Sequence, residues 1–285
     1  MIHYVKRRDL EEFKYDRCIE NAVQSRVYAY SWYLDLVADQ WDVLVLNDYE
    51  AVLPIPWNRK YFIKYVTQPF FCQQLGIFSK DAISKNLENE LLKKIPRKFF
   101  KISLQLNADN HLKSNKFTKK NNYVLALNKT SKDLINSFNK NRKRDLKKAL
   151  AASLKIDKDV TAKDFLNFYL LHDKHYQKHN AIKGVLENIV QLKNGSVQFY
   201  GIRSNGNLIA CVLLLDDKKR ITYLVPVHNK ISQKKGATTL LVATIIKNFE
   251  NSDYILDFEG SMIKGVASFY KSFGAENETY NLYSR

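Results

Sequence analysis

The sequence predicts an α/β (α+β) protein of two tandem units, each a mixed, mostly antiparallel twisted sheet flanked by helices. Three observations carry this expectation. Both halves run through the same order of helices, three-strand meander, loop, helix and strand, with little residue identity, so the repeat is one of architecture. The strand-like runs are short and bounded by polar turns, Asn47-Asp48 and Asn205-Gly206 among them. The 285 residues are 45% hydrophobic, enough for two cores, and no apolar run approaches the ~20 residues that span a membrane.

In the first half, His3–Val5 reads as a short strand and Asp9–Ala22 as an amphipathic helix capped by Asp9. An aromatic-rich helix over Tyr30–Val37 follows. The meander comprises Asp42–Leu46, Glu50–Pro56 and Tyr61–Val66, with its second turn at Asn58-Arg59-Lys60. A helix over Asp81–Lys94 is closed by Pro96, and Phe99–Leu106 reads as a strand. Residues 107–121 are polar and basic and read as a connection, which divides the chain into domains 1–115 and 116–285.

In the second half, helices are expected over Ser131–Leu154, Ala162–Lys178 and Gly184–Lys193. The second meander comprises Val197–Arg203, Leu208–Leu215 and Ile221–Val227. A loop (His228–Lys234), a helix from about Gly236 to Phe249 and a strand reaching Phe258 come next. Val266, Phe269, Tyr270 and Phe273 make an apolar stripe on a short helix, with Gly274 where a C′ glycine would end it. Tyr280–Tyr283 reads as the last strand of the second sheet.

Lys and Arg total 46 against 29 Asp and Glu, a net charge of +17 that favours an anionic partner: nucleotide, nucleic acid or acidic lipid. Cys18, Cys72 and Cys211 are far apart and fit neither a disulfide framework nor a zinc pattern. The opening MIHYVKRRDLEEF has no apolar leader core. Together these point to a cytoplasmic protein.

The stretch Ile221–Glu250 organises the second half. At its strand-to-helix join stand Gln233, Lys234, Lys235, Gly236, Ala237, Thr238 and Thr239. A helix start there presents unpaired amides and the positive end of its dipole, the chemistry of a phosphate cradle. The alternative is an ordinary turn with solvated lysines. If the cradle reading holds, Gly236→Glu blocks the ligand and spares the fold.

The Gln-x-x-Gly-x-x turn, the strand after its helix and the run Ala267-Ser268-Phe269-Tyr270 to Phe273-Gly274-Ala275 resemble the GNAT superfamily of N-acyltransferases. In that family the turn binds the pyrophosphate of coenzyme A, which here implies Gln233 to Thr238. A terminal-helix tyrosine protonates the leaving thiolate, which here implies Tyr270. Val225 and Val227, at the end of the preceding strand, and Thr239 join the expected donor-binding set. The chain departs from the pattern in having Thr238 in place of Gly or Ala, and Lys264 in place of Asn. The tandem layout, with Leu256-Asp257-Phe258-Glu259-Gly260 leading into Phe273-Gly274-Ala275-Glu276, is similar to the FemAB/FemX subgroup. Some of its members transfer amino acids from tRNA to peptidoglycan precursors. Peptidoglycan-type members tend to have Lys at the position of Tyr270, so the resemblance implies an acyl-CoA donor, with no metal.

Further candidates each have a plain alternative. Leu134, Phe138, Leu146 and Leu150 fall on one face of the expected Ser131–Leu154 helix, and Arg142 interrupts that stripe. The segment is either a solvated face or a helix break with Arg142 snorkelling to solvent, or Arg142 grips a phosphate or carboxylate, in which case Arg142→Ala weakens binding with little change in melting temperature. His172, His175 and His179 lie along one helix; packing, an acceptor groove contacted by His175 and a metal site are the readings, and straight-helix geometry disfavours the metal. Asp257 and Glu259 share one face of a strand, Asp257 as a substrate contact and Glu259 as the general base or as a cap for the helix beyond Ser261. Trp32, Tyr33, Trp57 and Gln68-Pro69-Phe70-Phe71 either wall an acceptor cleft between the domains or belong to the core. Without the resemblance, Tyr270 reads equally as a core tyrosine bonded to a backbone carbonyl.

The expected function is transfer of an acyl group from acyl-CoA to a small-molecule or peptide amine. The rivals are aminoacyl transfer from charged tRNA and a nucleic-acid-binding module built on Lys140–Lys148 and Lys113–Lys120. Against the last, those segments lack regularly interleaved aromatics.

Overall fold

A computed structural model describes residues 1–110, 112, 114–172 and 180–285. The chain divides into two compact units, Met1–Asn121 with Glu278–Arg285, and Asn122–Asn277. Among the described residues no helix is long and apolar enough to cross a membrane.

The first unit contains β1 (Ile2–Lys6), α1 (Glu12–Asn21), α2 (Ser31–Val37), β2 (Gln40–Leu46), β3 (Ala51–Lys60), β4 (Ile63–Val66), β5 (Phe78–Ser79), α3 (Lys85–Lys94) and β6 (Phe99–Gln105). Two helices start later than expected. Arg7–Asp9 forms a 3-10 turn ahead of α1, and α3 waits for Ser84, whose hydroxyl accepts the Leu87 amide at 3.3 Å. The antiparallel meander β1–β2–β3–β4 continues into β6, which runs parallel to β4.

The second unit contains the later part of β7 (Phe117–Ala126), then α4 (Ser131–Asn136), α5 (Lys140–Ala151), β8 (Lys155–Asp157), α6 (Ala162–His172), α7 (Asn180–Val190), β9 (Val197–Ser204), β10 (Asn207–Asp216), β11 (Arg220–His228), α8 (Lys230–Lys235), α9 (Ala237–Asn248), β12 (Ile255–Asp257) and α10 (Lys264–Lys271). Its strands lie in the order β7-β12-β11-β10-β9-β8, antiparallel except for β11 beside β12. The last strand of the chain is β13 (Glu276–Ser284).

The repeat of architecture is present, and its closing strands are exchanged. In the first unit the strand beside β6 is β13, with Leu282 opposite Gln105 and Tyr283 opposite Leu104. The Tyr280 hydroxyl donates to Gln105 Oε1 at 2.7 Å, and Tyr283 packs its ring 5.4 Å from that of Phe117. In the second unit the equivalent place beside β12 goes to β7, with Leu125 opposite Leu256. So Tyr280–Tyr283, expected to complete the second sheet, completes the first. Residues 117–121, expected in a connection, open a strand.

One stretch takes the helix-break alternative, and another holds a helix where a loop is expected. The Ser131–Leu154 stretch is broken, because Asn139 caps α5 by accepting the Arg142 amide at 3.0 Å. The break resets the phase: Ala149 is buried and Leu150 is 68% exposed. The loop expected over His228–Lys234 contains α8, capped by Asn229 through the Ser232 amide at 3.0 Å. Gly236, at φ 69°, ends α8 and begins α9.

Helix α9 is the centre of the second core, with Ala237 and Thr239–Ile246 buried. Gly236 lets it sit against α5: a Cβ there would lie 2.3 Å from the Asp145 carbonyl oxygen. The missing side chain therefore serves helix packing, and Gly236→Glu is expected to disturb the fold as well as the cavity. Gly236→Ala combines a left-handed backbone with a backbone clash and is expected to cost about 2–4 kcal/mol. Urea denaturation with an unchanged midpoint would refute the close approach.

Candidate active site

The parallel ladder between β11 and β12 is only three residues long, pairing Arg220, Ile221 and Thr222 with Ile255, Leu256 and Asp257. At its base the Arg220 guanidinium meets the Asp257 carboxylate at 2.9 Å, with exposures of 8% and 2%. After Phe258 the chain turns, with Glu259 in the left-handed region at φ 58°. From Tyr223 onward β11 has left β12, and a cavity of about 430 Å3 begins there. Tyr223, Pro226 and His228 of β11 form one wall, Val266, Phe269 and Tyr270 of α10 another. Arg142 and Asp145 of α5 and the α8–α9 join at Gln233, Gly236, Thr238 and Thr239 complete it.

A bulge in β11 decides which side chains line this cavity. Leu213 of β10 faces Val225 and Leu214 faces Tyr223, so Leu224 is the extra residue. Alternation shifts by one: Tyr223 lines the cavity before the bulge, Pro226 and His228 after it. Val225 and Val227 fall on the other face, each 4% exposed. A proline inside a central strand belongs at such an irregularity, and Pro226 was the available signal.

The ring of Phe258 sets two phenols side by side. Tyr270 stacks on it at 5.1 Å and 24°, while Tyr223 meets it edge-on at 5.7 Å and 62°. Tyr223 is 1% exposed and its hydroxyl has no hydrogen-bond partner among the described residues. An unsatisfied buried hydroxyl costs about 1–3 kcal/mol. Burial above all, and then the neighbouring Tyr270, pushes the Tyr223 phenol well above its ordinary pKa, so it stays protonated and able to donate.

Arg142 does not snorkel. It donates to Thr239 Oγ1 at 3.0 Å, pairs with Asp145 at 2.9 Å and lies over the Phe269 and Phe273 rings at 5.0 and 5.8 Å. Its Nε is buried without a partner among the described residues. At the α8–α9 join, the Ser232 and Thr238 hydroxyls are 3.1 Å apart, and Gln233 Nε2 lies 3.1 Å from His228 Nε2.

The structure thus brings Gln233, Gly236, Thr238, Thr239, Arg142 and Tyr270 together, as the sequence suggested. Among the described residues of the second unit, the other candidates lie outside the cavity lining. Ala237 is buried in the core, Lys234 is exposed, and Lys235 donates to Ser204 at 2.8 Å. Asp257 is committed to Arg220. Glu259 lies beyond the end of β12, outside the cavity lining, because the strand alternation that paired it with Asp257 stops at Asp257. Trp32 belongs to the first unit, stacked on Tyr30 at 5.9 Å. His175 and His179 lie outside the described residues, and His172 packs edge-on against Phe168 at 4.4 Å. Tyr223, Pro226 and His228 were not singled out from sequence.

No protein-family model and no curated protein matches the chain. Among solved structures it is similar to FemX, with a TM-score of 0.71 at 12% identity over 95% of this chain and 96% of that one. A tandem GNAT protein from the clavulanic acid biosynthesis pathway matches with a TM-score of 0.59 at 10% identity, over 100% of this chain and 98% of that one. The C-terminal domain of a putative lysylphosphatidylglycerol synthetase from Agrobacterium fabrum matches with a TM-score of 0.58 at 12% identity, over 94% and 91% of the two chains. The fold is therefore the tandem GNAT fold in its FemX-like form.

Because Arg142 ties α5 to α9 and α10, Arg142→Ala is expected to destabilise the protein by about 1–3 kcal/mol, through lost hydrogen bonds and cation–π contact. Thermal and urea unfolding would read this. An unchanged midpoint together with weakened ligand binding would restore the purely ligand-gripping role.

Proposed function

We propose that the second unit is an N-acyltransferase that carries an acyl group from acyl-CoA to an amine. The observation that supports this most is the convergence of the Tyr270 phenol and the α9 start on one mostly apolar cavity beyond the β11–β12 ladder. The donor supplies a carbonyl already activated by its leaving group. The residues present suit such a donor in two respects. Pro226, Val266 and Phe269 offer apolar wall to a pantetheine-like arm. Helix α9 begins at Gly236 with no side-chain cap, so its first amides and dipole face the join. In a third respect the fit is looser than the sequence implied. The space above Gly236 is filled by Asp145, and neither Lys234 nor Lys235 lines the cavity. Recognition of a diphosphate then rests on the α9 amides with Thr238 and Gln233.

Tyr270 holds the proton for the departing atom. As the amine nitrogen bonds to the acyl carbon and the bond to the leaving group breaks, Tyr270 donates from Oη, which relieves the charge where it develops. The amine must also lose a proton. Glu259 is not in the lining and Asp145 is engaged by Arg142, so His228 takes it, directly or through water. The looser diphosphate fit and the net charge of +17 also support a second donor, an aminoacyl ester of tRNA. Tyr270 serves a ribose hydroxyl leaving group in the same way.

Calorimetry with acetyl-CoA, and separately with aminoacyl-tRNA, tests the donor. Thr238→Asp places a negative charge in the first turn of α9, where it suits the helix and repels a phosphate. We expect its affinity for acetyl-CoA to fall at least about tenfold at unchanged melting temperature; unchanged affinity would remove the phosphate from the α9 start. With an amine acceptor found by screening, Tyr270→Phe should lower turnover roughly 10- to 1000-fold with near-normal donor affinity. Wild-type turnover would make Tyr270 a packing residue.

A further inference from the structure

The geometry points to Tyr223 as a second catalytic residue, whose hydroxyl donates a hydrogen bond to the acyl carbonyl oxygen of the bound donor. This rests on the acyl-donor reading above and adds to it a contact that no resemblance supplied. Three observations carry it. Tyr223 lines the cavity, and its hydroxyl is buried with no hydrogen-bond partner among the described residues. Nothing in the packing asks for the oxygen, since the edge-on contact with Phe258 would be made equally by a phenylalanine. And the bulge at Leu224 comes immediately after Tyr223, so this phenol is the one β11 turns into the cavity at its deep end, while Pro226 and His228 follow.

Depth divides the work between the two phenols. Tyr223 is 1% exposed and Tyr270 is 9% exposed. A donor entering past the α8–α9 join places its acyl end deepest and its leaving atom nearer the mouth. The deeper phenol then faces the carbonyl oxygen and the shallower one the leaving atom. No bond is made or broken at Tyr223. Its proton stays on its own oxygen, and the hydrogen bond strengthens as negative charge grows on the carbonyl oxygen.

The test is Tyr223→Phe, read first in the free protein. Removing a hydroxyl that has no partner should leave the melting temperature unchanged or raise it; a clear fall would mean that the oxygen is bonded within the fold and would overturn the inference. The second readout is affinity by calorimetry for donor pairs that differ only in the acyl group: acetyl-CoA against CoA, and aminoacyl-tRNA against the uncharged tRNA. For whichever pair the wild type binds, the variant should lose roughly 5- to 20-fold in affinity for the acylated member and nothing for the other. Equal affinity of variant and wild type for the acylated donor would overturn the role of Tyr223 alone. Failure of the wild type to bind either pair would overturn the donor reading, and this inference with it.

Discussion

The shortness of β12 is the constraint on which the site depends. Three residues pair with β11, and the buried Arg220–Asp257 ion pair fastens the two strands at that point. Such a pair contributes little net stability against its desolvation, but losing either partner is costly, so it fixes where the ladder is held. Beyond it β11 continues without β12, and the space that a longer β12 would fill is open to a ligand. The left-handed turn at Glu259 and the hydrogen bond from the Phe258 amide to the Tyr123 carbonyl at 2.9 Å take the chain away from β11 toward α10.

Within that space, structure and chemistry draw on different residues than their types suggest. Gly236 looks made for a ligand, yet its bare Cα faces the Asp145 carbonyl of α5. Arg142 looks made for an anion, and most of its guanidinium is engaged by Thr239, Asp145 and two phenyl rings. These contacts hold α5, α9 and α10 as a rigid frame. The tyrosines are the reverse case. They sit among aromatic residues as core residues would, but Tyr223 lines the cavity and its buried hydroxyl has no hydrogen-bond partner among the described residues.

What the sequence revealed follows from the range of the physics involved. Local signals were readable: the two meanders, the Gly274 helix end at φ 85° and the α10 stripe with Tyr270 all depend on neighbouring residues. The exchange of closing strands was not, because whether Tyr283 pairs with Leu104 is settled by residues far apart in the chain. The bulge at Leu224 misplaced Val225 and Val227 by one step of alternation, and Pro226 was its only local mark. Asn229 announced α8 as an N-cap would, but six residues of helix between a strand and a glycine also look like a polar loop. For Asp257, a carboxylate at the end of a strand reads alike as ligand contact or ion-pair partner until Arg220 is seen opposite it.

The account stands on an acyl group lying between the two phenols. A crystal structure of the protein with a ketone analogue of acetyl-CoA, in which a methylene replaces the thioester sulfur, tests it most directly. The ketone oxygen is expected within hydrogen-bonding distance of Tyr223 Oη and the methylene beside Tyr270 Oη. An analogue bound elsewhere on the protein, or one seated in the cavity with its ketone turned away from Tyr223 and Tyr270, would contradict it.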